Sequence, residues 1–493
     1  MEKITPDDIR YTDLAEKRFN KRYTGKPEYI FLPASTNEVI EAVQDAVNSK
    51  RRPVVRSGGH CLEGFVADPT VQVLIDMSLM TNIYFDTEKS AFAVEAGATV
   101  GELYRRLFLG WGVLLPAGEY PGIGVGGHIL GGAFGFLCRE YGLAADHLYG
   151  VEMVSVDASG KAHSVVATRE SDDRNRELWW AHTGGGGGNF GIVTRYWLRS
   201  PDAAGSDPAT ALPKAPASVT TFRVSWDWKH FDEASFTHLV KNFGDWALEN
   251  SGPGSHFTPL FSLIFLNHRN VGSIQIKGLA TGPEATHLIT EHLADIAGPV
   301  GLPYTQQIEI SAWLQFALNP FPELFQTGFD KVHMKGKDAF FRQPFTDGQI
   351  ATAWKYLNAE VPIGGMLAMA TYGGKVNSLS PDATASPQRD SIMDVACNTG
   401  WLSPEGAAPS LYWVRNFYKD LFPGTGGVPV PNEQTDGCMI NHPDTDLTDV
   451  QWNQSGVPWF TFYYKENYAR LQQVKTKWDP LNIFHHALSI QPA

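Results

Sequence analysis

Arg56-Ser57-Gly58-Gly59-His60 follows the apolar pair Val54-Val55 and puts an imidazole at the tip of a glycine turn. Glycine tolerates the positive φ and close backbone approach that let several N–H groups point at one ligand, the way a loop cradles phosphate. About 130 residues on, Gly184-Gly185-Gly186-Gly187-Gly188-Asn189-Phe190-Gly191 repeats the composition, with no lysine and no P-loop spacing. Two such loops predict backbone amides wrapped around a long phosphate-bearing ligand. The histidine predicts a covalent bond to it. A third loop, Gly122–Gly135, contains Gly122-Ile123-Gly124-Val125-Gly126-Gly127, which fits G-x-G-x-x-G. A dinucleotide turn of that kind opens a long helix in a βαβ unit. Here His128-Ile129-Leu130-Gly131-Gly132 follows, too rich in glycine for such a helix, which counts against a nicotinamide dehydrogenase.

The chain has 493 residues, enough for two or three domains, and a formal charge of −13 with no basic run. That balance argues against nucleic acid or an anionic membrane as partner. The longest apolar run, Leu260–Leu266, is too short to span a bilayer, and the charged N-terminus has no apolar signal segment. Four scattered cysteines suit neither a disulfide scaffold nor a zinc site, so the expected setting is the cytoplasm. His485-His486 lacks the further ligand spacing of a metal site, and no metal is expected.

Ser35-Thr36-Asn37-Glu38 is a capping box opening a helix that Pro53 stops. Strands are predicted at Val71–Met77, Phe92–Val94 and Tyr149–Val156, and a helix at Thr99–Leu109. The Pro- and Ala-rich stretch 200–217 marks a domain boundary. Beyond it, strands at Val219–Trp228, Pro259–Leu266, Ser273–Gly278 and Met366–Tyr372 alternate with helices at Glu233–Leu248, Glu284–Ala297 and Asp347–Leu357. This is the pattern of a sheet covered by helices on one face. Trp459–Trp478 returns to helical spacing.

Taken together, Arg56–His60, Gly124-Val125-Gly126-Gly127-His128, Arg139–Asp146, Trp179–Thr183 running into the glycines, Tyr372–Lys375 and the ending from Tyr463 through Phe484 resemble berberine bridge enzyme-like flavoproteins. The look is most like bacterial members that oxidise sugars on antibiotic scaffolds. The resemblance implies an α+β fold: a PCMH-type FAD-binding domain of the vanillyl-alcohol oxidase kind from residues 1–205 and 439–493, and a central substrate domain, 206–438, with an antiparallel sheet covered by helices. It implies FAD bonded to His60 through the 8α-methyl. Around the cofactor it places Arg56, Ser57, Gly58, Gly59, Gly124, Gly126, Gly127, His128, Gly185, Gly186, Gly187, Asn189, Phe190, Gly191, Ile192 and Asn467. Many members carry a second tether, a cysteine four residues before the Gly-x-Gly-Gly-His run. That position is Tyr120 here, and Cys138 lies in a different context, so one covalent bond is expected, through His60 only. Loss of the thioether lowers the flavin's potential and opens space near C6.

The implied activity is oxidation of an alcohol carbon of a sugar, glycoside or secondary metabolite, with oxygen or another electron acceptor, by a monomer or homodimer. Alternatives are a flavin dehydrogenase, an oxidative cyclase, and a non-catalytic flavoprotein that binds a planar small molecule. Such oxidation needs a base for the hydroxyl proton beside the cofactor's hydride chemistry. The resemblance points to Tyr372 and Tyr463 or Tyr464, with Tyr120 adding a hydroxyl. A phenol of pKa ~10 is a poor base unless cations support its phenolate, and Lys375 and Lys465 are the nearest in sequence. His442, in Asn441-His442-Pro443-Asp444, is a further candidate base in a stretch where Met439 and His442 replace the aromatic pair of relatives. Ile123 occupies the position that gates oxygen in the family, where valine is open and bulk obstructs.

Overall fold

Ser35 Oγ accepts from Glu38 N at 3.3 Å and Thr99 forms a full capping box with Glu102, so the helices Thr36–Asn48 and Val100–Trp111 start where their sequences specify. Both bury an apolar stripe, the first against strands of two short sheets and the second mainly against the helix Trp313–Leu318. The computed structural model describes residues 1–322, 331–361 and 363–493. β1 (Tyr29–Phe31), β2 (Pro53–Arg56) and β3 (Val73–Asp76) make a parallel sheet in the order β1-β3-β2. β4 (Ile83–Asp86), β5 (Ala91–Glu95), β6 (Leu148–Val156), β7 (Ala162–Thr168) and β8 (Ile192–Leu198) make an antiparallel one, β4-β5-β8-β6-β7.

The third sheet is antiparallel and seven-stranded: β9 (Ser218–Asp227), β10 (Leu260–Asn267), β11 (Ser273–Ala280), β12 (Thr305–Ala312), β13 (His333–Phe341), β14 (Gly364–Thr371) and β15 (Met393–Trp401), in the order β12-β9-β11-β10-β14-β15-β13. Helices Glu233–Asn250, Ala285–Ile296, Asp347–Leu357 and Ala407–Leu421 pack along it and against one another. The architecture is the expected α+β one. Periodicity found four of the seven strands. β12 and β13 read as polar (Thr-Gln-Gln-Ile-Glu and His-Met-Lys-Gly-Lys-Asp), and β15 mixes Asp, Asn and Gly into its apolar run. Pairing with neighbours, not side-chain pattern, makes them strands.

Two local expectations change. The third glycine loop does open a helix, Val125–Leu130, of six residues, stopped by Gly131 and Gly132. The predicted single helix Trp459–Trp478 is two, Trp459–Tyr464 and Tyr468–Trp478, broken where Lys465 takes φ +47. The second packs on Arg176–Ala181, beside the long glycine loop. Among the described residues no helix is long and apolar enough to cross a membrane.

Candidate active site

Arg56 closes β2: its Nε donates to Asp76 Oδ2 at 2.6 Å and its Nη1 to Lys17 O at 3.0 Å. The guanidinium is thereby engaged with Asp76 and braces the turn. Ser57 Oγ donates to Ala96 O at 2.6 Å and accepts from Gly126 N at 3.3 Å, tying the first loop to the third. Gly58 and Gly124 meet backbone to backbone: a Cβ on either would fall on the other's amide nitrogen. Gly127 is different. It is exposed between buried Gly126 and His128, and a Cβ there would meet nothing within 4 Å. Gly187 is nearly as open, with nothing closer than 3.7 Å. Both glycines line the cavity described below with open space on their Cα side.

The long loop is wound through positive φ at Gly184, Gly186 and Gly188 and fixed from behind. Asn189 Nδ2 donates to Gly185 O at 2.8 Å and Gly186 O at 3.2 Å, and Tyr464 OH donates to Gly185 O at 2.9 Å. Lys475, buried with Asp479, donates to Asn189 O at 2.6 Å. His486 Nε2 lies 3.1 Å from Gly187 O and helps fix the loop.

One cavity of about 550 Å³ runs between the three loops and the seven-stranded sheet. Its sheet wall is Leu263 and Phe265 on β10, Met366, Ala368 and Ala370 on β14, and Asp394, Ala396 and Asn398 on β15. Alternate residues share a face, and the register sets Ala370 opposite Leu263 and Asp394, and Ala368 opposite Phe265 and Ala396. Three alanines in register hollow out an apolar floor.

Of the expected cofactor contacts, Arg56, Ser57, Gly58, Gly59, His60, Gly124, Gly126, Gly127, His128, Gly186, Gly187, Asn189 and Gly191 line the cavity. Gly185, Phe190, Ile192 and Asn467 do not. Gly185 faces Ala181 and Leu471, Phe190 packs edge-on against His182, Ile192 is buried at the start of β8, and Asn467 donates to Pro381 O and Thr384 O. His60 sits between Phe19, stacked at 5.1 Å, and Tyr120 at 5.2 Å. Burial lowers its pKa to about 4, so the ring is neutral and keeps a nucleophilic lone pair. His128 accepts from Gly118 N at 2.7 Å through Nε2 and is held neutral by burial, with a pKa of about 3. It shapes the loop.

The tyrosines divide. Tyr120 lines the cavity; Tyr372, Tyr463 and Tyr464 stand behind its wall. Tyr372 OH donates to Gln388 O at 3.2 Å, and Tyr463 OH accepts from Asp444 N at 2.9 Å. Burial pushes all three phenols up, away from phenolate. The expected cations are also elsewhere: Lys375 is exposed, and Lys465 pairs with Asp436 and donates to Pro387 O. What the cavity presents instead is Glu119, Asp394 and His442, with Asp338 directly behind. Sequence reasoning missed Glu119, Asp338 and Asp394. Only β-pairing across β13 and β15 brings the two aspartates together.

The chain also matches known proteins. A family model described as an FAD binding domain matches residues 27–165, and one described as berberine and berberine like matches residues 438–491. The aclacinomycin-N/aclacinomycin-A oxidase of Streptomyces galilaeus is 48% identical over 495 residues, 99% of this chain and 90% of that one. The chain belongs to the berberine bridge enzyme-like FAD-linked oxidases. Within this oxidase family, a glycopeptide hexose oxidase crystallised with teicoplanin superposes with TM-score 0.96 at 44% identity, covering 100% of this chain and 99% of that one. A structure of Phl p 4 superposes with TM-score 0.77 at 25% identity, over 100% of this chain and 96% of that one. One of its variants is a glucose dehydrogenase; the same variant with a further Ile→Val replacement is a glucose oxidase.

Proposed function

We propose that this FAD-linked oxidoreductase oxidises an alcohol carbon in the sugar of an apolar glycoside, with oxygen as the final acceptor and hydrogen peroxide as by-product. One observation carries the substrate class. The apolar floor of Ala368, Ala370 and Ala396, flanked by Phe265 and Met366, faces the glycine loops across a cavity with few polar groups. Such a floor takes a hydrophobic aglycone, while the polar groups gather at Glu119, Asp394 and His442, where a sugar hydroxyl can be met. The 48% identity to an aclacinomycin oxidase and the fold shared with a glycopeptide hexose oxidase point the same way.

The residues fit FAD. Gly127 and Gly187 leave room for a ligand against the backbone, Ser57 and Gly58 hold the adjoining turn, and neutral His60 presents a nucleophilic nitrogen beside Tyr120. When bound, FAD supplies the hydride acceptor. The chain's own work is to tether and orient it, to exclude water with the apolar sheet face, and to take the hydroxyl proton.

His60 is the single covalent tether in this reading. Cys138 cannot serve as the second: it is fully buried outside the cavity wall, its thiol receiving Gly135 N at 3.1 Å. Cys61 does line the cavity, but burial pushes its thiol up to about 12, leaving little thiolate. Acid precipitation should carry the yellow colour with wild-type protein and with Cys138→Ser, and leave it in the supernatant for His60→Ala. Free flavin from the wild type would overturn the tether. An anaerobic screen of glycosides, free sugars and polyphenols tests the substrate class. Bleaching by free hexoses alone would remove the apolar glycoside from the reading.

A further inference from the structure

We propose that His442 is the base that takes the hydroxyl proton of the substrate, held in position by the carboxyl pair Asp338–Asp394. The inference rests on the alcohol oxidation argued above and names the residue that reaction requires.

The other imidazoles of the wall are engaged. His60 is the proposed tether, His128 accepts from Gly118 N, His485 Nδ1 lies 2.9 Å from Asn482 O, and His486 stacks on Phe65 at 4.0 Å beside Gly187. His442 is free to act on a ligand. Its side chain is 41% exposed and lies in the cavity wall next to Asn441 and Met439. Its place is nonetheless fixed from two directions. The backbone N of His442 donates to Met439 O at 2.9 Å, and Met439 N donates to Asp338 Oδ2 at 2.6 Å. Nδ1 lies 3.2 Å from Asp338 Oδ1.

Asp338 on β13 and Asp394 on β15 lie on neighbouring strands, with Asp394 in register with Phe340, and both are buried. Ligand atoms of Asp338, Asp394 and His442 all fall within 4.8 Å of one another. Two carboxylates this close and this dry cannot both ionise. Burial and Asp338 push Asp394 well up, while burial raises Asp338 to about 6. Asp394 Oδ1 is buried without a hydrogen-bond partner, which a proton shared with Asp338 supplies. The pair then carries one negative charge against His442 Nδ1. That charge keeps the imidazole proton on Nδ1, leaves Nε2 as the lone pair, and stabilises the imidazolium once Nε2 is protonated.

The step balances. The substrate O–H bond breaks with its proton going to His442 Nε2 and a C=O bond forms, while bound FAD would supply the acceptor for the carbinol hydrogen as hydride. Oxygen would then take up those two electrons, with the hydride's proton and the one released from Nε2, as hydrogen peroxide. Groups facing His442 are Asp338 on β13, Asp394 on β15, Glu119 on the loop before Tyr120, and His128 on the short helix. Glu119 is the rival base. Burial and Asp394 raise it to about 7, but no side-chain hydrogen bond or ion pair among the described residues orients it.

Stopped-flow anaerobic reduction of the holoenzyme, followed across pH at saturating glycoside, separates these roles. His442→Gln should slow reduction about 10²–10⁴-fold and flatten the acid limb of the profile. Substrate affinity, read from the flavin difference spectrum, should move less than about threefold, a change of under ~1 kcal/mol. Asp338→Asn should move the acid limb, whereas Glu119→Gln should keep it whatever its rate. Flavin content and thermal midpoint of each variant monitor folding. Wild-type reduction rates in His442→Gln, or loss of the acid limb only in Glu119→Gln, would overturn the assignment. If no alcohol bleaches the wild-type flavin, the proposed function fails instead.

Discussion

Gly127 and Gly124 sit three residues apart in one motif, yet they are glycine for different reasons, and alanine at each should fail differently. At Gly124 an added Cβ falls on Gly58 N and Ser57 Oγ, so the first and third loops must part. Overpacking of this kind costs about 1–3 kcal/mol with or without a ligand. At Gly127 the Cβ meets no protein atom within 4 Å, and the residue lies in the helix Val125–Leu130. Alanine there should leave the flavin-free protein as stable or up to about 1 kcal/mol more stable, because glycine is the poorer helix former. The methyl would instead occupy space held for the cofactor. A clash of about 1–3 kcal/mol confined to the bound state weakens binding about 5–150-fold. Because the proposed tether would mask affinity, the measurement belongs in the His60→Ala background, by titrating FAD into the deflavinated protein and following its fluorescence, with thermal unfolding in parallel. Undiminished FAD affinity in the Gly127→Ala protein would refute the cradle, as would a flavin-free midpoint as low as that of Gly124→Ala.

Three further outcomes are expected. Lys335 is buried against Glu63, Asp444 (2.6 Å) and Asp446 (3.7 Å), linking β13 to both the loop after His60 and the C-terminal turn. Lys335→Met leaves buried Glu63 without its cation, while Asp444 and Asp446 keep Lys337, and should cost about 3–5 kcal/mol in urea unfolding. Nearby Lys337 and Lys335 hold the Asp446 pKa below its ordinary value against the opposing effect of burial, so this contribution is full at neutral pH and drains as pH falls below about 4. An acid-unfolding curve that does not steepen there would contradict it. Tyr372→Phe and Tyr464→Phe each remove one buried hydrogen bond, worth about 1 kcal/mol. Both should still bleach with substrate at near wild-type rates, and a loss of a hundredfold or more would return the base to a tyrosine. Ile123 lines the cavity, and an Ile→Val replacement separates the two Phl p 4 variants. Ile123→Val should therefore speed reoxidation of the reduced flavin by oxygen while leaving anaerobic reduction unchanged. Equal reoxidation rates would remove Ile123 as a gate.

The cofactor half of this protein was legible because its constraints are local. A turn that needs positive φ, as at Gly59 (+76) or Gly186 (+83), must be written as glycine, and the order of such turns along the chain is itself a signature. Tyr120 was readable for the same reason, since its meaning lies in its distance from Gly124. Arg56 and Asn189 were found as cavity residues, but their work, bracing Asp76 and the Gly185–Gly186 carbonyls, appears only in three dimensions.

The substrate half depended on packing across long separations. Periodicity places a residue on one side of a strand but not at a depth, so Tyr372, one residue past the end of β14, is enclosed by Phe134 and Phe340 rather than aimed at the cavity. The carboxyl pair lies on two strands whose polar or mixed sequences hide them, and His442 stands 104 residues beyond Asp338. The chain by itself determined the glycine turns that belong to an FAD-binding domain, because backbone conformation at a glycine turn is a local choice. Only the tertiary structure decided which side chains meet in the cavity wall, because burial and carboxylate–imidazole contact belong to neighbours that sequence distance does not reveal.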